Sequence, residues 1–315
     1  MQILIALLRA KISVVSLGGA SSMGVSTRWF TGSVLIVWVC FLAPSTVSAQ
    51  ALRFQPQGAS AAGQGNAFAA QADDASAIHY NPAGLTQVEG FQAMFGTAFL
   101  GGSIKYKSPS GVDTRGDFGG SAVLPSPSHT YLSANLGTLG LTGLSRVTVG
   151  LGLTSPFGLN TRYPVDGSFN TAATSATLPL LDIKPTIAYK VTDDVSIGLG
   201  ADIYTFASFL GEGQAEQHQV GAGLAGIPAG AKVELSGKGT GVGMNASLLY
   251  VPIRNSDGKP LASIGMVYRS QAVLPLQGGL LINGVKVADA STSLALSPIY
   301  TSAVALWPVR TQERE

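Results

Sequence analysis

From about residue 91 onward, apolar side chains recur at every second position, and the positions between them hold Gly, Ser, Thr and Asn more often than charges. Val147, Val149, Leu151 and Leu153 alternate with Arg146, Thr148, Gly150, Gly152 and Thr154. Val195, Ile197, Leu199, Ala201 and Ile203 alternate with Ser196, Gly198, Gly200, Asp202 and Tyr204. The same rhythm runs through Ile183–Val191, Gly241–Tyr250 and Ser263–Arg269. Period two is the spacing of a β-strand with two unlike faces, and a run of about 9–11 residues is what a tilted strand needs to cross a bilayer. A soluble sheet puts charges on its second face, so small uncharged residues there point to a transmembrane barrel, with apolar residues toward lipid and polar ones toward the lumen.

Composition excludes the alternatives. Charged residues make up 11% of the 315-residue chain, against about 25% in soluble domains. A hydrophobic share of 46% rules out disorder, which needs low hydrophobicity and high charge. The 40 glycines follow no Gly-X-Y period, so collagen is excluded. Past the first fifty positions no apolar run approaches the roughly 20 residues of a membrane helix. A soluble β-sandwich is the remaining rival, and the connections argue against it. Thr192-Asp193-Asp194 and Arg254 to Pro260 read as short turns, Gly211 to Gly237 as a long loop. Short turns on one side and long loops on the other characterise outer-membrane barrels.

The N-terminus predicts export. Val34 to Ala43 is an apolar run of about ten residues, the length of a signal h-region rather than a membrane span. Arg28 precedes it and Val47-Ser48-Ala49 offers small residues for cleavage before Gln50, so residues 1–49 read as a signal peptide, with Met23 a cleaner start than Met1. Trp38 sits where a lipoprotein signal needs a small residue, so Cys40, the sole cysteine, is expected to leave with the signal. Cleavage would remove Arg9, Lys11 and Arg28 and no acid, turning a formal +2 into −1. No basic patch suggests nucleic acid.

Signals for chemistry are sparse. His79, His129 and His218 have no metal-ligand spacing, and no motif joins a Ser to a His as a hydrolase would need. Neither an enzyme, a metal nor a cofactor is expected. Asp73-Asp74 reads as a solvated turn, and Asn81-Pro82-Ala83-Gly84 by itself as a turn signal. Tyr131, Tyr163, Tyr204 and Tyr250 read as an interfacial girdle.

Three motifs in order carry a resemblance. They are Gly58-Ala59-Ser60-Ala61-Ala62-Gly63-Gln64-Gly65-Asn66-Ala67-Phe68, Asp73-Asp74-Ala75-Ser76-Ala77-Ile78 and Asn81-Pro82-Ala83-Gly84-Leu85. Pro156-Phe157-Gly158-Leu159, Lys184-Pro185-Thr186-Ile187-Ala188-Tyr189-Lys190 and Tyr268-Arg269-Ser270 follow. From about Leu52 to Gly279 the chain resembles the long-chain fatty-acid outer-membrane transporter family, the FadL/TodX group. The resemblance implies an all-β fold: a transmembrane antiparallel barrel of 14 strands, plugged by a small N-terminal helical hatch. It implies a hatch over residues 50–90, barrel wall over 91–315, and residence in a Gram-negative outer membrane. The implied function is passive uptake of hydrophobic small molecules, fatty acids or aromatic hydrocarbons, which leave sideways into lipid through a gap at a kinked strand. The kink would fall at Gly152, Thr154, Ser155, Pro156, Phe157 and Gly158, where Pro156 cannot donate a ladder bond. Phe68, Asn81, Pro82 and Ala83 would line the ligand path on the hatch, with Asn81 against the strand near Gly152. A structural or adhesive barrel is the alternative, though such a barrel has no need of a plug. A complete protein of this kind is expected to be a monomer.

At the C-terminus the chain departs from that pattern. Only about eight or nine strand signals precede Glu315, and the polar end Trp307-Pro308-Val309-Arg310-Thr311-Gln312-Glu313-Arg314-Glu315 carries no terminal aromatic strand. A C-terminally truncated frame and an incomplete barrel with two free edges are therefore expected.

Overall fold

A computed structural model of the protein describes residues 53–109, 111–118, 123, 126–158, 160–208 and 213–308. The expected signal peptide, the alternative start Met23, Cys40 and the polar terminal residues lie outside them. Among the described residues no helix is long and apolar enough to cross a membrane.

The chain opens with short helical pieces: a turn of helix at Ala59–Gly63, another at Ala77–Tyr80 and a 3-10 turn at Pro82–Gln87. Strands follow in the order β1 (Phe91–Gly96), β2 (Ser103–Lys107), β3 (Asp113–Asp117), β4 (His129–Asn135), β5 (Val147–Thr154), β6 (Asn160–Arg162), β7 (Ser175–Thr177) and β8 (Leu180–Lys190). The second half contributes β9 (Val195–Phe206), β10 (Ala215–Val220), β11 (Lys232–Lys238), β12 (Gly241–Arg254), β13 (Pro260–Arg269), β14 (Ala272–Ile282), β15 (Val285–Leu296) and β16 (Ile299–Leu306).

These strands form two eight-stranded sheets, ordered β1-β4-β5-β8-β9-β12-β13-β16 and β2-β3-β6-β7-β10-β11-β14-β15, with every pair antiparallel. The two orders run in step. β2 continues β1, β4 continues β3, and so on to β16, so the chain makes eight long strokes, each broken once. Neighbours in sequence are neighbours in space throughout, as in an up-and-down meander. Residues Gly211 to Gly237, read from sequence as one long loop, instead contain the hairpin of β10 and β11. His218 and Glu216 interrupt the apolar rhythm there, which hid the strand. At the β14–β15 turn, Asn283 and Gly284 both take left-handed backbone, φ 50 and 82, the conformation a two-residue hairpin needs to match strand twist.

Faces divide as the alternation requires. On β8, Ile187 and Tyr189 are exposed while Lys184, Thr186 and Ala188 are buried; on β9, Ile197 and Leu199 are exposed while Ser196 and Asp202 are buried. Greasy side chains therefore face outward and polar ones inward, the reverse of a soluble sheet. The inner face is covered by residues 53–88. Ala72, Ala75, Ala77, Ile78, Leu85 and Val88 form one core with Tyr131 and Ala188 of the wall. Edge strands β1 and β16 each have a single partner, β4 and β13. Among the described residues no pairing joins them, so the barrel is not closed.

Candidate functional site

The inner face is layered along each stroke. On β9, Ser196 and Gly198 meet the N-terminal segment, Asp202 belongs to a buried ionic group, and Tyr204 and Phe206 belong to an apolar cluster. On β8, which runs the opposite way, Ala188 meets the N-terminal segment, Lys184 and Asp182 join the ionic group, and Leu180 joins the apolar cluster.

The hatch is tied to the wall by hydrogen bonds that use its inner-face hydroxyls and carbonyls. Asn81 Nδ2 donates to the Ala69 carbonyl at 2.7 Å and the Leu248 carbonyl at 3.2 Å, while its oxygen accepts from the Ala83 N–H. That same N–H donates to Ser247 Oγ at 2.9 Å. Thr86 and Ser196 share a hydroxyl contact of 2.7 Å, and Ser263 Oγ donates to the Ala70 carbonyl at 2.5 Å. Asp74 is a local cap, accepting from the Ser76 N–H and hydroxyl. Asn81 thus bonds to β12, with Pro82 and Ala83 against Gly198 of β9, and not to the strand near Gly152 as expected. Ile78 fills the place opposite Gly150 and Gly152, where a glycine leaves room for an aliphatic side chain but not for a second one.

Above the hatch lies a group that sequence reasoning missed. Lys184 Nζ stands 2.5 Å from Asp182 Oδ2 and also bonds to Asp202 Oδ1. Arg269 Nη1 donates to Asp202 Oδ1 at 2.8 Å, and Asn245 Nδ2 to Asp202 Oδ2 at 3.1 Å. Arg269 Nη2 donates to the backbone carbonyl of His79, which couples the group to the hatch. Arg53 completes it, feeling the charges of Asp182, Asp202 and Arg269. Three cations thus share the site with two carboxylates. The signal was present in the sequence, since Lys184, Asp202 and Arg269 occupy strand positions whose alternates are apolar. A charge inside a barrel has to find its partners across strands. Burial holds the His79 imidazole well below its ordinary range, and the cations Arg269, Lys184 and Arg53 add to that.

Beyond the ionic group, Phe157, Leu180, Tyr204, Phe206, Leu274 and Leu276 form an apolar floor. On it stands a cavity of about 710 Å³ in the second sheet, whose apolar wall includes Ile104, Phe118, Leu178, Leu235 and Leu294. That volume falls within the roughly 300–1,000 Å³ of small-molecule sites. Of the candidate residues, Phe157 borders the cavity, whereas Asn81, Pro82, Ala83 and Phe68 do not. Phe68 is fully buried in the hatch, edge-on to Tyr80 at 5.6 Å. Gly152 and the buried Thr154 end β5, after which the chain leaves the sheet. Over that break Ser155 N–H donates to the Ser128 carbonyl, Gly158 N–H to the Ser155 carbonyl, and Phe54 N–H to the Pro156 carbonyl at 2.6 Å. Two of the four tyrosines placed in a girdle are inward instead. Tyr131 is buried with its hydroxyl donating to the Gln57 carbonyl, and Tyr204 packs on Phe157. Parity explains both, since each occupies an inner-face position of its strand. Among the described residues no cluster of His, Cys, Asp or Glu could hold a metal ion.

A meander of long antiparallel strands, greasy outside, polar inside and covered within by a short helical segment, is the wall of a plugged outer-membrane barrel. The chain belongs to the outer membrane protein transport family (OMPP1/FadL/TodX), whose pattern matches residues 42–304. It is 36% identical over 138 residues to NMB0088 of Neisseria meningitidis serogroup B, a protein named for the outer membrane; the match covers 42% of this chain and 28% of that protein. Among solved structures, it resembles a Pseudomonas aeruginosa FadL homologue with a TM-score of 0.61 at 16% identity, over 82% of this chain and 66% of that one. It also resembles the Ralstonia pickettii toluene transporter TbuX, with a TM-score of 0.55 at 17% identity, over 82% and 69%. The chain therefore spans about two thirds of the solved proteins it matches, and the likeness to them is one of fold.

Proposed function

We propose that this chain supplies wall and hatch to an outer-membrane channel for passive uptake of hydrophobic compounds, a class that runs from aromatic hydrocarbons to long-chain fatty acids. The observation that carries the reading is Phe157, which belongs at once to the break in the third stroke and to the border of the apolar cavity. A hydrophobic molecule in that cavity touches a place where the wall lacks ladder bonds. Moving sideways there lets it partition into lipid, whereas moving straight on would take it through the ionic group and the hatch. The path therefore follows the cost of desolvation, since apolar surface gains about 25 cal/mol per Å² by staying out of water. Residues Ser155, Pro156, Phe157 and Gly158 border the exit in this reading, and the hatch closes the aqueous route below. Membership of a transport family and the fold shared with a toluene transporter agree with it.

The test is uptake. Cells carrying the full chain in the outer membrane should accumulate a labelled hydrophobic compound faster than vector controls. Equal rates, with the protein assembled and protease-resistant, would remove the channel function.

A further inference from the structure

We infer that the outward face of the second sheet binds the phosphate groups of the outer-leaflet glycolipid, through Lys105, Arg115 and Arg162. The inference is independent of what passes through the channel. Strands of the first sheet are joined on one side by residues 97–128, 155–179, 207–240 and 270–298, and on the other by 136–146, 191–194 and 255–259. Long connections of such barrels stand outside the cell and short turns in the periplasm, so the second sheet, built from the long ones, is on the outer side. The outward surface changes character between the sheets. Across the first, the row through Val149, Ile187, Leu199, Ala246, Tyr268 and Tyr300 is uncharged. Across the second, one row holds Asp117, Arg162, His218, Glu234 and Lys286. On β9 the apolar outward positions run from Val195 to Ile203, about 20–25 Å once strand tilt is allowed for, which is the height of the hydrocarbon band. The charges begin beyond it, at the level of lipid headgroups.

At the β2–β3–β6 end of that row cations are in excess. Ile104 borders the cavity, so its alternates Lys105 and Lys107 face outward. The ladder sets Lys105 opposite Arg115, Lys107 opposite Asp113, and Asp117 opposite Arg162. Four exposed cations thus stand with two exposed carboxylates. Like charges directly across a ladder repel. Lys105 turns from Arg115 to Asp113, at 3.6 Å, in a pair whose side chains are 59% and 48% exposed, and water leaves such a pair little net worth. Among the described residues, Arg115 and Arg162 form no ion pair. Opposite positions on neighbouring strands lie about 5 Å apart and diagonal ones about 7–8 Å, so Lys105, Arg115 and Arg162 are close enough to share one phosphate group. A guanidinium fork matches two phosphate oxygens at once. A phosphate there also offsets the Lys105–Arg115 repulsion, while acyl chains of the same molecule lie along the apolar rows below. A free anion gains only the first of these contacts.

Three probes separate the sources of binding: lipid A, lipid A stripped of its phosphates, and inorganic phosphate as a competitor. Saturable retention of labelled lipid is measured on the immobilised full chain in uncharged detergent. Lipid A should bind about tenfold or more tighter than the stripped form, since each cation at an anionic lipid surface is worth about fivefold in affinity. Combining Lys105→Gln, Arg115→Gln and Arg162→Gln should abolish that difference and leave the stripped lipid bound as before. Lys286→Gln, on the far side of the sheet where the amine pairs with Asp289, should change neither. Equal affinity for the two lipids, or no saturable binding of lipid A, would overturn the inference on the native chain alone, whether or not the triple variant assembles. Full lipid A binding by an assembled triple variant would overturn it as well. Displacement of lipid A by millimolar inorganic phosphate would make the cluster a site for soluble anions, and overturn the lipid as its partner.

Discussion

Gly198 and Gly265 show how closely the hatch and wall are fitted. A Cβ on Gly198 would overlap the backbone at Pro82 and Ala83, and one on Gly265 the carbonyl of Ala69. In both cases the obstacle is backbone, which cannot swing aside. Gly198→Val should therefore destabilise the docked hatch by about 1–3 kcal/mol, the usual cost of overpacking, and show as faster proteolysis within residues 59–88. Asn81 serves three hydrogen bonds, and Asn81→Asp would turn its amide donor toward two carbonyls as an acceptor. Such a change should loosen the hatch more than Asn81→Ala, which only deletes the bonds, each unsatisfied group costing about 1–3 kcal/mol. Arg269→Met removes a cation bonded to both Asp202 and the His79 carbonyl. Breaking a buried pair from one side costs about 3–5 kcal/mol, and the assembled fraction on a heat-modifiable gel should fall accordingly.

At the scale of elements, the outward rows are the membrane face. Leu199 is 55% exposed on β9 and its neighbours on that row are apolar. Leu199→Arg should depress assembly, by about 2–4 kcal/mol if the position lies at mid-bilayer. Leu199→Phe should be neutral by the same measurement. The break after β5 makes the opposite demand. Pro156 lacks an N–H, so Pro156→Thr restores a ladder donor where the chain leaves the sheet. If the break is the exit, uptake should fall while protease resistance holds. Unchanged uptake would place the exit elsewhere. The β14–β15 hairpin was legible at Asn283-Gly284, a turn signal of the strongest kind. The β10–β11 hairpin was not, because its strands carry Glu216, His218, Glu234 and Lys232 where periodicity looks for apolar residues.

For the whole molecule, the hatch and the ionic group form one unit through Arg269, and His79 lies within it. Its imidazole is held well below its usual range in the folded state, by burial first and by Arg269, Lys184, Arg53 and His129 besides. A released hatch would take up a proton that the docked one refuses. The docked state is therefore at full strength above about pH 6.5, the ordinary value of histidine, and weakens as the pH falls below it. Proteolysis of the hatch should accelerate between about pH 6.5 and pH 5, and His79→Gln should flatten that dependence. A rate indifferent to pH would mean that His79 stays buried in the state the protease attacks.

The sequence by itself determined the strand, the two faces and the compartment. Period two fixes two unlike faces, because each alternate side chain must point to the opposite one, and small uncharged partners favour lipid outside and a polar interior over a soluble sheet. It also determined that a Gly- and Ala-rich segment precedes the wall. What only the tertiary structure decided is which residues meet. Strand parity turned Tyr131 and Tyr204 inward, and the register across β8, β9, β12 and β13 gathered Asp182, Lys184, Asp202, Asn245 and Arg269 from 88 positions of chain into one group. Ile78, and not Asn81, came to rest on Gly150 and Gly152. Such contacts depend on how far each stroke slides against its neighbour, and a slide of one residue would exchange every inner side chain for an outer one. The alternation within a strand carries no record of that offset. It is settled only when the strands pair and the hatch finds the glycines that leave it room.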